Sequence, residues 1–404
     1  STYGLLLVRN GRVEDYNYSA STATSPNPPL ASVEQIYPPP DWWIPFGNPV
    51  YAAWDGSWTP DFPTTAEMAM WYYNSGNNPR SPMRGVISID IVAFEYILEA
   101  LQSVYVPEYN TTVTSSSFRD VVYSIREEGL DEHLDREHKR FLAAVYRQIF
   151  DDWQTRASDP QFSSQILTVL LRALQEKHLM LYSSSEEITH ALDVLGWSGR
   201  QIHTDGEDYL MLVDANMGNK SNSSVRRQVI YDVELTPEGS ANSRVTVLYD
   251  YSASTAENDP AVDANYHGPL DYTSLFQLYT PAGSTLSDSS GGLNALQTVS
   301  GDVFTQFIAF LTVPYDTSER YQFSYNVPDV TQPLGTYSRY TLRLQKQPGM
   351  RAELAIVQVT LPQGSYAVRT TPNPTANYNI ERQILEFRMD FRSDVMIDIV
   401  YRSF

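Results

Sequence analysis

The chain has 404 residues, 42% hydrophobic and 12% aromatic, enough for more than one core. Its 48 acidic and 28 basic residues give a net charge of −20, which makes nucleic acid and anionic membrane surfaces poor partners for the chain as a whole. It contains no cysteine, which excludes thiol nucleophiles, zinc knuckles, iron–sulfur clusters and disulfides, and it has no apolar run long enough to span a bilayer.

Tyr3 to Arg9 reads as a strand, Asn10-Gly11 as a tight turn and Arg12 to Tyr18 as the returning strand. A chain that opens inside a hairpin implies further residues upstream. Ser19 to Asp41, with PNPP and YPPP, reads as a polyproline-like surface loop. Trp42 and Trp43 follow it. They either pack on the first helix or form an aromatic patch that stacks on carbohydrate.

The stretch from Trp54 to Val106 predicts a helix, a strand and a second helix. Thr64 or Thr65 can cap the first helix, with Glu67 answering Thr64, and Gly76 and Pro79 end it. Gly85 to Ile89 is short, apolar and β-branched, as a central strand would be. Asp90 caps a helix whose apolar face is Ile91, Phe94, Ile97, Leu98 and Leu101. Helix, strand and helix in this order predict an α/β crossover in a mainly parallel sheet. Helices follow over Thr114–Glu128, Asp131–Gln154, Phe162–Leu181 and Glu186–Leu195. On Asp131–Gln154, Arg136, Arg140 and Arg147 lie opposite the apolar face, as a phosphate-binding stripe or a solvated face with Arg147 paired to Asp151.

Near residue 205 the pattern changes. Tyr209 to Val213 is a strand. Beyond Asn219, alternating strands are predicted at 225–235, 244–251, 273–280, 304–313, 320–326, 338–347, 351–361, 383–391 and 394–401, with polar loops at 252–270 and 282–296. Strands without intervening helices predict an antiparallel sandwich.

Several residues carry candidate chemistry. Asp61, just before the first helix, is a general base, a metal ligand or a turn residue. The acidic loops holding Asp205, Glu207 and Asp208, and Asp259 and Asp263, are candidates for weak calcium binding, although neither has the spacing of a full calcium loop. No other cofactor is expected. Asn216, Asn219, Lys220, Arg226 and Arg227 form either a polar site or a hydrogen-bonded hinge between domains.

The segments Trp58-Thr59-Pro60-Asp61-Phe62-Pro63-Thr64-Thr65-Ala66, Gly85-Val86-Ile87-Ser88-Ile89-Asp90, Lys177-His178-Leu179-Met180-Leu181-Tyr182, Val213-Asp214-Ala215-Asn216 and Gln345-Lys346-Gln347-Pro348-Gly349 together resemble an uncharacterised family of bacterial cell-envelope proteins, a domain of unknown function (number 4012). That family is distantly similar to the LytR-CpsA-Psr phosphotransferases, which attach glycopolymers to the cell wall. The resemblance implies a pyrophosphate held by arginines, here Arg136, Arg140 and Arg147, and the transfer alternative uses Arg136 and Arg140 with Asp61. It also implies an Arg-x-Thr-Gly-Gly segment before Tyr3, where this chain has only Ser1 and Thr2.

The sequence therefore predicts an α/β, LytR-CpsA-Psr-like first domain over residues 1–215 and an all-β antiparallel sandwich over 216–404. It predicts an exported envelope or surface protein that is structural or assembles into an array, filament or adhesin. Glycopolymer or phosphate-ester transfer and carbohydrate binding are the alternatives. The expected partners are further copies, other envelope proteins or surface glycans.

Overall fold

The computed structural model describes residues 2–9, 12–20, 59–75, 81–131, 137–217, 219–257, 259–264, 268–379 and 381–402. The chain divides into two compact units, Ser1–Arg200 and Gln201–Phe404.

The first unit opens with β1 (Thr2–Arg9) and β2 (Arg12–Ala20), an antiparallel pair running from Thr2↔Ala20 to Arg9↔Arg12. Helix α1 (Phe62–Ser75) is capped by Asp61, one turn earlier than expected. The Asp61 carboxylate accepts from the Thr64 amide at 3.1 Å and the Thr64 hydroxyl at 2.6 Å, so Thr64 is a donor to the cap and not the cap itself. Glu67 does not close a capping box; it accepts from the Tyr182 hydroxyl at 2.9 Å.

Strand β3 (Gly85–Ile89) leads into α2 (Ile91–Leu101), the short strands β4 (Val104–Val106) and β5 (Thr111–Val113), and helices α3 (Phe118–Asp131), α4 (Glu137–Arg156) and α5 (Pro160–Gln175). Strand β6 (Leu179–Ser183) and helix α6 (Glu186–Val194) complete the unit. The expected α/β domain with a mainly parallel sheet is not what forms. β3 pairs antiparallel with β6, from Gly85↔Ser183 to Ile89↔Leu179, and β4 pairs antiparallel with β5. The partner strand is concealed in the sequence. Phe162 to Leu181 carries no Gly or Pro, so its apolar spacing reads as one helix. In the fold that helix stops at Gln175, Lys177 takes a positive φ of 58°, and the chain leaves as β6.

One face of the β3–β6 pair is covered by α1, and the other face is covered at β6 while Ile87 and Ile89 of β3 stay exposed. Val86, Met180 and Tyr182 meet Phe62 and Ala66 of α1 on one side, and Leu179 and Leu181 meet Ala93, Ala173, Leu174 and Trp197 on the other. A further core gathers Leu98, Val104, Val113, Phe118, Phe141, Val145 and Phe162.

Among the described residues, the second unit holds fifteen strands. They are β7 (Asp208–Asn216), β8 (Arg226–Leu235), β9 (Ala241–Asp250), β10 (Tyr272–Pro281), β11 (Thr285–Ser290), β12 (Asn294–Ser300), β13 (Phe304–Val313), β14 (Ser318–Val327), β15 (Thr331–Leu334), β16 (Tyr337–Leu344), β17 (Glu353–Thr360), β18 (Tyr366–Thr371), β19 (Ala376–Asn379), β20 (Gln383–Phe391) and β21 (Val395–Arg402). One sheet has the order β12-β13-β10-β7-β16-β21-β18, with β15 also on β16; the other has the order β11-β14-β9-β8-β17-β20-β19. β7, placed by the sequence reading at the end of the first domain, is central to the first of these sheets.

The two sheets share one core, in which Phe276 stacks on Phe323 at 5.4 Å and Phe307 lies 5.4 Å from Tyr325. The expected purely antiparallel arrangement is also corrected. Each sheet is mixed, because β7 runs parallel to β16 and β8 parallel to β17. Alternation tells which face of a strand is buried but not which way its neighbour runs, so the parallel pairs leave no local mark in the sequence. The loop expected at 282–296 contains β11 and the start of β12. These edge strands are polar and mostly exposed, so they lack the apolar alternation that betrays an inner strand.

Candidate functional site

Two of the landmark segments meet at the end of the β3–β6 pair. The Asp90 amide donates to the His178 carbonyl at 3.1 Å. The Asp90 carboxylate caps α2, accepting from the Ala93 amide at 3.0 Å, and lies 2.7 Å from His178 Nδ1. On the other side of the ring, His178 Nε2 is 3.9 Å from Glu176. Glu176 accepts from the Tyr96 hydroxyl at 2.6 Å and from Arg172 Nε at 3.0 Å. The Arg172 guanidinium lies over the Tyr96 ring at 3.9 Å. Burial works against the Glu176 charge, but the hydrogen bonds from Tyr96 and Arg172 outweigh it and lower the carboxyl pKa. The imidazole is enclosed between two carboxylates, so the group cross-links α2, α5 and β6.

The densest polar network lies in the second unit, between its sheets. Arg227 on β8 reaches Glu353 on β17 through Nε (2.6 Å) and Nη2 (2.8 Å), and Asp214 on β7 through Nη1 (2.5 Å). Asp214 also accepts from the Tyr249 hydroxyl at 2.9 Å and the Ser274 hydroxyl at 2.8 Å. The Gln347 side chain clamps the Asp214 backbone, accepting from its amide and donating to its carbonyl, each at 2.9 Å. Burial disfavours the guanidinium charge, but Glu353 and Asp214 more than offset it and hold Arg227 firmly protonated.

Sequence reasoning grouped Arg226 and Arg227 as one polar patch with Asn216, Asn219 and Lys220. The structure separates them. Arg226 is exposed, and Arg227 is in the core. The signal was available in the alternation of β8: Val229, Tyr231, Val233 and Leu235 all face inward, and Arg227 is in register with them. Asn219 has a local task, donating to the carbonyls of Pro269, Leu270 and Asp271 and so closing that loop.

Of the other candidates, Arg136, Trp42 and Trp43 lie outside the described residues. Asp61 caps α1. Arg140 pairs with Glu137 on its own helix at 3.2 Å, and Arg147 pairs with Glu108 at 3.1 Å. Asp205 is exposed, and Glu207 pairs with Arg343 at 3.3 Å. Asp208, two positions after the glycine of that acidic loop, points into the core and accepts from Tyr340 (2.6 Å), Tyr231 (2.8 Å) and the Tyr209 amide (2.8 Å). Burial pushes its carboxyl up to about 6 against those three hydrogen bonds. Asp259 accepts from Ser223 at 2.8 Å, from Ser224 and from the Ala261 amide at 2.9 Å, while Asp263 lies further along the same loop. Among the described residues, no three of His, Cys, Asp and Glu gather as a cation site.

Comparison with solved structures finds distant likenesses. A protein from Legionella pneumophila subsp. pneumophila str. Philadelphia 1, described as nutrient-binding, aligns over 49% of this chain and 71% of its own, at 8% identity and a TM-score of 0.31. An M1 zinc metallopeptidase from Deinococcus radiodurans aligns over 44% of this chain and 42% of its own, at 11% identity and a TM-score of 0.25. The folded domain of LppM from Mycobacterium tuberculosis aligns over 46% of this chain and 92% of its own, at 9% identity and a TM-score of 0.20. No curated protein matches the chain. Residues 1–125 match the model of a family described as "Protein of unknown function (DUF4012)", an uncharacterised domain family to which this part of the chain is similar.

Proposed function

We propose that the chain is an exported protein of the cell envelope or surface, with a structural or assembly role and no catalysis of its own. The observation that carries this reading is the Arg227–Asp214–Glu353 network. It commits three buried charges, two hydroxyls and an amide side chain to joining two seven- or eight-stranded sheets. Such a network favours one rigid arrangement of the sheets, as a component that must hold its shape in an assembly requires. The His178 group plays the same part in the first unit. One further feature suits the reading: a fold without thiols is indifferent to the redox state of its compartment. Fractionation followed by electron microscopy of the native envelope tests it. The expected result is the chain in the envelope fraction within an ordered array or filament. A freely soluble monomer in the cytosolic fraction would overturn it.

A further inference from the structure

The outward face of β16, β21 and β18 is basic on a chain that is otherwise strongly acidic. Its make-up follows from register. Arg339 on β16 and Arg369 on β18 both lie opposite Val400 of β21, one on either side. Both guanidiniums reach the carboxylate of Asp398, two residues along β21, Arg369 at 3.4 Å. Asp398 is nearly covered, whereas the Arg339 and Arg369 side chains are 42% and 64% exposed. The next residue on this face of β21 is Arg402, directly opposite Tyr366 of β18. Tyr337 at the start of β16 lies on its other side, one step beyond the Ser338↔Tyr401 pair. The two tyrosines are 38% and 40% exposed.

We propose that this face binds anionic saccharide chains, that is, polymers whose sugars carry carboxylate or phosphate groups. A guanidinium offers a planar fork that fits either group in a bidentate manner. One carboxylate between two arginines orients both forks without cancelling them, so the Arg339–Asp398–Arg369 group keeps one positive charge. The flanking tyrosines supply flat apolar rings on which sugar faces pack. The net charge of −20 disfavours such a polymer on the chain as a whole, so binding depends on a locally basic face. The inference does not depend on the assembly reading, because a monomer would bind equally well.

The test is titration of the full chain with polygalacturonate, with dextran phosphate and with neutral dextran, each at low and high salt. Binding to at least one anionic polymer is expected, with no binding to dextran and a loss of affinity as salt rises. The two anionic probes show whether carboxylate or phosphate is preferred. Arg369→Gln, which leaves Arg339 on Asp398, is expected to weaken binding about tenfold with the melting temperature nearly unchanged. Tyr366→Ala is expected to weaken polysaccharide binding but not binding of inorganic polyphosphate, which has no ring to stack. Equal affinity for dextran, or unchanged affinity in Arg369→Gln, would overturn the proposal. So would a concentration-dependent association of the chain without polymer that Arg369→Gln abolishes, because the face would then take an acidic surface of a second copy.

Discussion

Asp208 shows at the level of one residue what the core of the second unit tolerates. Its carboxylate is sealed between the sheets with only hydroxyl and amide donors around it, and burial raises its pKa from 3.8 to about 6. The folded state therefore holds this proton more tightly than the unfolded chain. The contribution of Asp208 to stability is full below pH 4, declines as pH rises between about 4 and 6, and stays lost above that; two pKa units correspond to about 3 kcal/mol at most. Asp208→Asn removes the titration. Wild type and variant, unfolded by denaturant at pH 4.5 and 7.5, are expected to differ more in favour of the wild type at the lower pH, and parallel profiles would refute this. Arg227 illustrates the opposite case, a buried charge that is fully compensated. Arg227→Ala leaves Asp214 and Glu353 facing each other without a cation and is expected to cost about 3–5 kcal/mol. Arg227→Met combined with Glu353→Met removes one partner along with the arginine and leaves Asp214 with Tyr249 and Ser274, so its cost by the same denaturation measurement is expected to be smaller.

Elements in the first unit are set by their ends. Helix α2 starts at Asp90 and stops at Gln102, which is exposed and holds a φ of 69°. Glycine adopts that conformation without a Cβ clash, so Gln102→Gly is expected to stabilise the unit by about 0.5–1 kcal/mol in thermal melts. At the other end, Asp90→Ala removes the cap and the partner of His178 together. A cap alone is worth about 1 kcal/mol and an orphaned buried donor about 1–3 kcal/mol. A loss of about 2–4 kcal/mol is expected, with faster hydrogen exchange at the Ala93 amide, and Asp90→Asn is expected to recover part of it. The Asp90 cap was legible because a short polar side chain preceded an apolar helical period. The strand at 304–313 was legible because it is an aromatic and β-branched run without a breaker. What pairs with β3 was not, because the run ending in Leu179–Met180–Leu181 has no breaker and its turn depends on Lys177 in a left-handed conformation. The inward Arg227 was legible in principle from the register of β8, but only once Val229, Tyr231 and Val233 are known to face the other sheet. His178 left no sign of its own, since its two carboxylate neighbours come from positions 90 and 176 and only the strand pairing unites them.

At the scale of the whole chain, the cores matter more than the strands. The cluster around Phe276, Phe323 and Tyr231 draws only on residues after Gln201, and those around Phe141 and Ala173 only on residues before it. Cores that share no side chain among the described residues are expected to melt as separate cooperative bodies. Urea unfolding is therefore expected to show two transitions, and the substitutions above assign them. Arg227→Ala should move one transition alone and Asp90→Ala the other alone. For units of about 200 residues, 1 kcal/mol corresponds to about 2–4 °C, so the Arg227→Ala shift is expected to be on the order of 10 °C in calorimetry. The residues from Gln201 on, expressed separately, should retain their transition, because among the described residues the partners of Arg227 and Asp208 lie within them. If either substitution displaces both transitions equally, the two cores are energetically one, and the Arg227 network then stabilises the whole chain and not the second unit alone.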